Sequence, residues 1–544
     1  MRLTEGERDT LAAIASELVD PTRISGLGAY GSKVAGYARP DSDYDLLVVA
    51  KRFKEGVRYR YVDSPVAASA LIVDEDMFVQ DARSSYLGEF VAGRLLNVYE
   101  PISNPELFRS VEVELKKRVM VEALLELSSD YGEFARHIVV PYEYFLFDKL
   151  HTRAAVYPPA LYSYVSTYTC PLGEENKSIS NRGFSAAAEE LQPRGFLSAG
   201  ADGVRIDPER MKGDAFTSFQ SLFSVTARGV TQYAIHGYAG RVGPSVFSRE
   251  ALSKLRRMRD APPPFQPLEK PRSVLKLEQG VVIPDASLLT KELARILGFE
   301  AYSMTEKDIG EPYSTTRVLT LRKPGAERSV IVKNYTDVRS LKWALLGIWA
   351  STAKRFSTTP LSRMDREYGM TLALRRMGVL VPSVLAVAPA ERILVKEFIA
   401  GPTLAAVINS YLKGGSGDLA PVTGYGALVA KVHAGGMALG DAKPSNVISS
   451  PDGLFLTDLE QALQGGDQAW DIAEFLYYTA KLSIREDPMK RVAGAFLQSY
   501  VKTGSRANLS KARGQRYLGP FRPFLTPGMA KMLRETLADY AQAT

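Results

Sequence analysis

The chain contains a single cysteine, Cys170, among its 544 residues, so no intrachain disulfide framework can brace it. Its 4 histidines, at positions 137, 151, 236 and 433, are too scattered for a Cys/His zinc site. Any metal is therefore expected to be magnesium-like and held by oxygen donors. Long apolar runs are missing too. The most apolar helix-like stretch, Leu341–Ala353, carries Lys342 and falls well short of the roughly 20 residues that cross a bilayer. Residues Met1–Asp9 bear charges of both signs and no apolar core, so no secretory signal is expected and the protein is read as cytoplasmic, with no membrane partner.

Low-complexity tracts of Gln/Asn, Ser or acidic residues are absent, while 45% hydrophobic and 10% aromatic residues suffice for packed cores. A chain this long is expected to form about two to four domains. The net charge of +7 is modest for the size, so its distribution matters more than its total. From Lys502 to Arg522 the chain carries Lys502, Arg506, Lys511, Arg513, Arg516 and Arg522 with no acid among them. That segment suits a polyanion or a solvated face, and residues 505–544 are read as a basic C-terminal tail.

Along the chain, Thr4 and Glu7 are spaced as a capping box ahead of a helix over Thr4–Leu18, which Pro21 stops. A Gly-rich turn, a strand over Tyr44–Ala50 and another near Ala67–Val73 complete a small α/β unit over residues 1–105. Residues 106–260 read mainly as helices. A helix over Ser180–Leu191 is followed by a hairpin around Ala201-Asp202-Gly203, a pairing that resembles the wing of a winged helix and would offer Arg194, Arg205, Arg210 and Lys212 to nucleic acid. The proline-rich stretch 261–272 reads as a semi-rigid linker ahead of a third domain over 273–504.

The strongest chemical signal is Gly440-Asp441-Ala-Lys443-Pro-Ser-Asn446, followed by a Pro451-Asp-Gly453 turn and a short apolar strand that ends at Asp458. Phosphoryl transfer requires a carboxylate beside the attacking hydroxyl, metal ligands beside the phosphates and a cation to neutralise charge. Asp441 is the candidate for the first role, Asn446 and Asp458 for the second, and Lys443 for a contact to the transferring γ-phosphate. The segment resembles the catalytic core of RIO kinases, of the small archaeal kinase of the KEOPS complex and of aminoglycoside phosphotransferases. That resemblance implies a C-terminal bilobal protein-kinase-like fold using ATP and Mg2+ or Mn2+. It assigns Gly310, Ser314 and Thr315 to a phosphate-covering turn, Lys333 to the α/β-phosphates, Glu367 to the ion pair with Lys333, the backbone near Glu397 and Phe398 to adenine, and Asp471 to a structural brace under the catalytic loop. The covering turn has one glycine where the family commonly has three. Leu439 and Gly440 stand where His and Arg are common, and Leu459-Glu460 follows Asp458 where Phe-Gly is common. Only Leu459–Trp470 separates Asp458 from Asp471, too little for an activation segment and a peptide platform.

A second constellation, Gly31-Ser32 followed by Asp43 and Asp45 at the head of a strand, resembles the polymerase-beta-like nucleotidyltransferases. In that family a Gly-Ser pair opens a helix that receives the triphosphate, and paired carboxylates hold two metal ions. Residues two apart on a strand share a face, which suits Asp43 and Asp45. The family's third carboxylate would fall within Ala67–Val73, where there is none; Asp63 and Asp74 flank that strand.

The fold class expected is thus multidomain α/β and α+β: a nucleotidyltransferase-like fold, a helical and winged-helix-like middle, and a protein-kinase-like fold. The function expected is ATP- and magnesium-dependent transfer of a γ-phosphate to a hydroxyl of RNA, with a tRNA ribose 2′-hydroxyl implied by the resemblance to archaeal tRNA kinases. Its rivals are an atypical Ser/Thr protein kinase acting on a folded protein, a nucleotidyltransferase with a kinase-like scaffold, and an inactive RNA-binding or regulatory module.

Overall fold

A computed structural model describes residues 2–158, 160–215, 268–300, 302–309, 316–336, 359–414 and 417–542. The chain divides into two compact units, Met1–Lys276 and Leu277–Thr544. Residues 1–105 and 106–260, expected as separate domains, therefore share one unit. The break also falls later than the expected linker. Of that stretch, residues 268–272 are described, and Arg272 pairs with Asp130 and lies over the Tyr131 ring at 5.6 Å, which fixes the end of the proline-rich segment to its own unit.

In the first unit, α1 (Glu5–Leu18) starts at the Thr4/Glu7 capping box and buries Leu11, Ile14 and Ala15. The chain then forms β1 (Ile24–Tyr30), a four-residue α2 (Ser32–Ala35), β2 (Tyr44–Ala50), β3 (Val57–Val62), β4 (Ala68–Asp74), α3 (Glu75–Ser84) and β5 (Tyr99–Ser103). The strands make one sheet in the order β3-β4-β2-β1-β5, with β2 and β4 parallel and the other neighbours antiparallel. Leu46–Ala50 are buried without alternation because both faces of the sheet are covered. The Gly-rich stretch expected as a turn is strand β1. Its Gly26 and Gly28 lie under Phe108, where an added Cβ would come within 3.0 Å of the ring, so glycine here serves close packing rather than a bend.

The helical part follows as α4 (Pro105–Tyr131), β6 (Ile138–Val140), α5 (Tyr142–Val156), α6 (Ala160–Thr169), α7 (Gly173–Leu191), β7 (Leu197–Gly200), β8 (Gly203–Ile206) and α8 (Pro208–Ala215). The expected hairpin is β7–β8, joined by β6 into a three-stranded arrangement β6-β8-β7. Arg194, Arg205 and Arg210 are exposed around it, and the Lys212 side chain lies outside the described residues.

The second unit has two hydrophobic cores. The first belongs to a sheet of β9 (Val281–Val282), β10 (Ser303–Ile309), β11 (Thr316–Lys323), β12 (Ala326–Asn334), β13 (Val384–Ala388) and β14 (Ile393–Glu397), in the order β10-β11-β12-β14-β13-β9. Helix α9 (Leu289–Leu297) covers the face that carries Val330, Val332, Ile393 and Val395, and α10 (Pro360–Arg376) lends Met370 and Leu374 to the second core. The second core is helical: α11 (Leu404–Gly414), α12 (Ala420–Ala434), α13 (Gln468–Ala480), α14 (Glu486–Tyr500), α15 (Arg506–Ala512), α16 (Gln515–Leu518) and α17 (Pro527–Gln542). Two ribbons lie among them, β15 (Met437–Ala438) with β18 (Leu463–Gln464), and β16 (Val447–Ser450) with β17 (Gly453–Leu456). Residues 505–542 are not a tail: Leu509, Leu518, Phe521, Met529, Leu533 and Leu537 join the same core as α13 and α14. Apolar residues at helical spacing drive that docking while the basic side chains stay outside.

Candidate functional site

Strand alternation selects what faces the site. With Val330 and Val332 turned into the sheet core, Lys333 must point to the opposite face, and α10 brings Glu367 there. Lys333 Nζ lies 2.7 Å from Glu367 Oε2, 2.5 Å from Asp458 Oδ1 and 3.0 Å from Glu460 Oε2. Burial opposes the charge of Lys333, but Asp458 and Glu367 outweigh it and hold the ammonium well above its ordinary range. Glu367 is fully buried; burial alone would raise its carboxyl, yet Lys333 and Lys396 hold it far below the usual carboxylate range. Tyr335 donates its hydroxyl to the same Oε2, and Lys396 pairs with Oε1.

The loop Leu439–Asn446 follows β15 and is held from beneath by α13. Buried Asp471 accepts the backbone N–H of Leu439 at 2.6 Å and of Gly440 at 2.7 Å, and His433 Nε2 donates to it at 3.0 Å. Glu474, one turn along, accepts the Ala442 N–H at 2.8 Å. Tyr425 donates its hydroxyl to the Ala442 carbonyl at 3.1 Å. Asp441 is thereby fixed at the pocket, with Lys443 Nζ at 2.7 Å from its Oδ1. The Asn446 amide donates to the Asp441 carbonyl at 3.0 Å, which leaves Oδ1 as its donor atom for a cation. The β16–β17 hairpin then returns the chain: Thr457 N–H meets the Asn446 carbonyl at 2.8 Å. Asp458 follows in a left-handed conformation, φ 55°, that turns its carboxylate toward Lys333.

Asp441, Asn446, Thr457 and Asp458 line one pocket. Among the described residues, one group of acids suits a metal ion, with the oxygens of Glu367, Asp458 and Glu460 within 4.8 Å of one another. Glu367 is committed to two lysines and a tyrosine, whereas the Asp458 side chain is 39% exposed. Lys333 holds the Asp458 carboxylate on one side while Glu460 and Glu367 crowd it, and a bound cation would offset those acids. Asp458 and Asn446 offer hard oxygen donors with no Cys or His beside them, which fits a magnesium-like ion.

The site thus gathers Lys333, Glu367, Asp441, Lys443, Asn446, Asp458 and Asp471. Gly310, Ser314 and Thr315 lie outside the described residues. Glu397 and Phe398 are exposed at the end of β14, and the Glu397 N–H already donates to the Ser383 carbonyl at 2.9 Å. The sequence reading did not single out Glu460, Lys396, Tyr335, His433 or Glu474. A spacing signal existed for Glu474, one helical turn past Asp471, and for Glu460, two residues past Asp458.

In the first unit, an added Cβ on Gly31 (φ 78°) would lie 2.0 Å from Asp45 Oδ2, so the carboxylate rests on the backbone where Ser32 opens α2. Asp43 is exposed just before β2, and Asp45 is half-buried within it. The parallel partner of Asp45 is Ser69. Asp74 sits at the far end of that strand, capping α3 and accepting the Phe53 N–H at 2.8 Å, so it is not a third ligand; Asp63 is exposed after β3.

No family model matches the chain, and no curated protein matches it either. Among solved structures it is similar to "WaaP in complex with acyl carrier protein", at 12% identity over 42% of this chain and 96% of that one, with a TM-score of 0.27. A likeness that distant carries no argument about activity.

Proposed function

We propose that the second unit is an ATP-dependent phosphotransferase that moves the γ-phosphate to a hydroxyl. One observation carries the reading: Lys333 pairs with Asp458, 125 residues away, and Asp458 in turn lines one pocket with Asp441 and Asn446. Asp441 takes the proton of the acceptor hydroxyl as it attacks, Lys443 neutralises the transferring phosphoryl group, and Lys333 is held by Glu367 to receive the α/β-phosphates. Asn446 and Asp458 would hold magnesium, which supplies charge neutralisation between the phosphates when bound.

RNA, with a tRNA ribose hydroxyl as the leading case, is the acceptor we favour. The stretch Leu459–Trp470 leaves no room for a peptide platform, and exposed Arg194, Arg205 and Arg210 cluster around the β7–β8 hairpin of the first unit. The nucleotidyltransferase-like edge of that unit serves binding rather than transfer, since Ser69 stands in register with Asp45.

The test incubates the full chain with magnesium and γ-labelled ATP, offering total tRNA and a protein extract in parallel. Label in RNA is expected. Label confined to protein would replace the acceptor, and no hydrolysis or transfer with either magnesium or manganese would end the phosphotransferase reading.

A further inference from the structure

Lys396 has no part in the reaction just described, yet it is buried and reaches the carboxylate that positions Lys333. Its place follows from register. Ile331 pairs with Lys396 and Lys333 with Leu394, so Lys333 and Lys396 are diagonal neighbours on one face of the sheet. Ile393 and Val395 take the opposite face, into the core. Glu367 enters between the two lysines and offers one oxygen to each, Oε2 to Lys333 and Oε1 to Lys396.

Burying a lysine is costly unless its charge is paired. One lysine would pair Glu367; this chain spends two. The surplus has a role if Lys333 changes partners. Its ammonium is shared among Glu367, Asp458 and Glu460. In the proposed reaction Asp458 turns to a cation and Lys333 to phosphate, which loosens the grip of Lys333 on Glu367. Tyr335 would still hold Oε2 by a hydrogen bond, but among the described residues Lys396, on Oε1, would be the cation left to pair the carboxylate.

We infer that Lys396 is a positioning residue of the nucleotide site: it anchors Glu367 from behind, so that Lys333 stays aimed at the α/β-phosphates when it leaves Asp458. This rests on the phosphotransferase reading and adds to it that a second lysine, acting through Glu367, sets affinity for the polyphosphate and not for the base.

The experiment compares wild type, K396M, K396R and K333M as full chains, measuring calorimetric affinity for MgATP and for adenosine, KM and kcat, and thermal unfolding. K396M is expected to weaken MgATP about tenfold, the size of a coupling between residues in contact, with adenosine affinity unchanged. K396R is expected to restore MgATP affinity to within about threefold. Unchanged MgATP affinity in K396M, or an equal loss for adenosine, would overturn the inference and leave the phosphotransferase reading intact. A wild type that binds no MgATP, or a K333M that binds it undiminished, would instead sink that reading. If K396M does not fold, E367Q is compared with E367Q/K396M. Equal MgATP affinities support action through Glu367, and a further loss in the double variant refutes it.

Discussion

The two carboxylate-bearing edges of this protein differ in how their acids are partnered. In the second unit, Asp441, Asp458, Glu460 and Glu367 each lie within ion-pair distance of a lysine, and Asp471 fastens the loop that carries Asp441. In the first unit, Asp45 rests against Gly31 within the field of Arg94, Asp43 is exposed, and the neighbouring strand supplies a serine. Two carboxylates at the head of a strand are a beginning of a metal site; a set of acids with countercharges and a fixed backbone is a place where charge can move. Sequence spacing alone does not separate these cases, because both present acids at short intervals. Their neighbours do.

The largest expected effect tests this directly. Asp441→Asn and Asp458→Asn should each reduce phosphoryl transfer by about 1,000-fold, whereas Asp45→Asn should leave its kcat unchanged. A radiometric assay of the three variants checks it, and the reverse ranking would exchange the roles of the two edges. Next in size, Asp471→Ala strands two buried amides and His433, and should lower the stability of the second unit by about 3 kcal/mol or more, read as an earlier denaturant midpoint.

Much of the candidate site's loop was legible because its parts lie close together in sequence. Asp441, Lys443, Asn446 and Asp458 share one loop and hairpin, so spacing conveyed geometry. Lys396 and Tyr335 were not legible: a lysine within a strand and a tyrosine following one become partners of Glu367 only when α10 docks beside the sheet. Strand β1 was hidden by its glycines, whose reason lies in Phe108, far along the chain. The C-terminal helices were masked by their basic residues, although Leu509, Leu518, Phe521 and Leu533 carried an apolar pattern that outweighs surface charge in deciding what folds.

A gain-of-function variant sharpens the comparison further. Ser69→Asp would place a carboxylate in register with Asp45, and in an Asp458→Asn background should raise Mn2+ affinity on the order of tenfold, followed by electron spin resonance. No rise would show that Asp43 and Asp45 do not form a metal-binding edge. The smallest effect concerns acidity in the first unit. Burial, with Glu126 nearby, pushes the Asp148 carboxyl up to about 6. Because the folded chain then holds that proton more tightly than the unfolded one, Asp148 costs stability as pH rises from about 4 through 6, and the cost is complete above that. Asp148→Asn should raise the Tm at pH 7 by a few degrees, with the gain vanishing near pH 4. An equal gain at both values would remove titration as the cause.

The grip of Asp471 on its loop is made entirely through main-chain N–H groups, those of residues 439 and 440. The bonds themselves do not read side chains; other constraints act on the two positions, Gly440 lying at φ 72°, where an L side chain is strained, and Leu439 being buried in the helical core. A template written as two amides over one interior carboxylate would recognise this loop where one written in amino-acid letters passes it by.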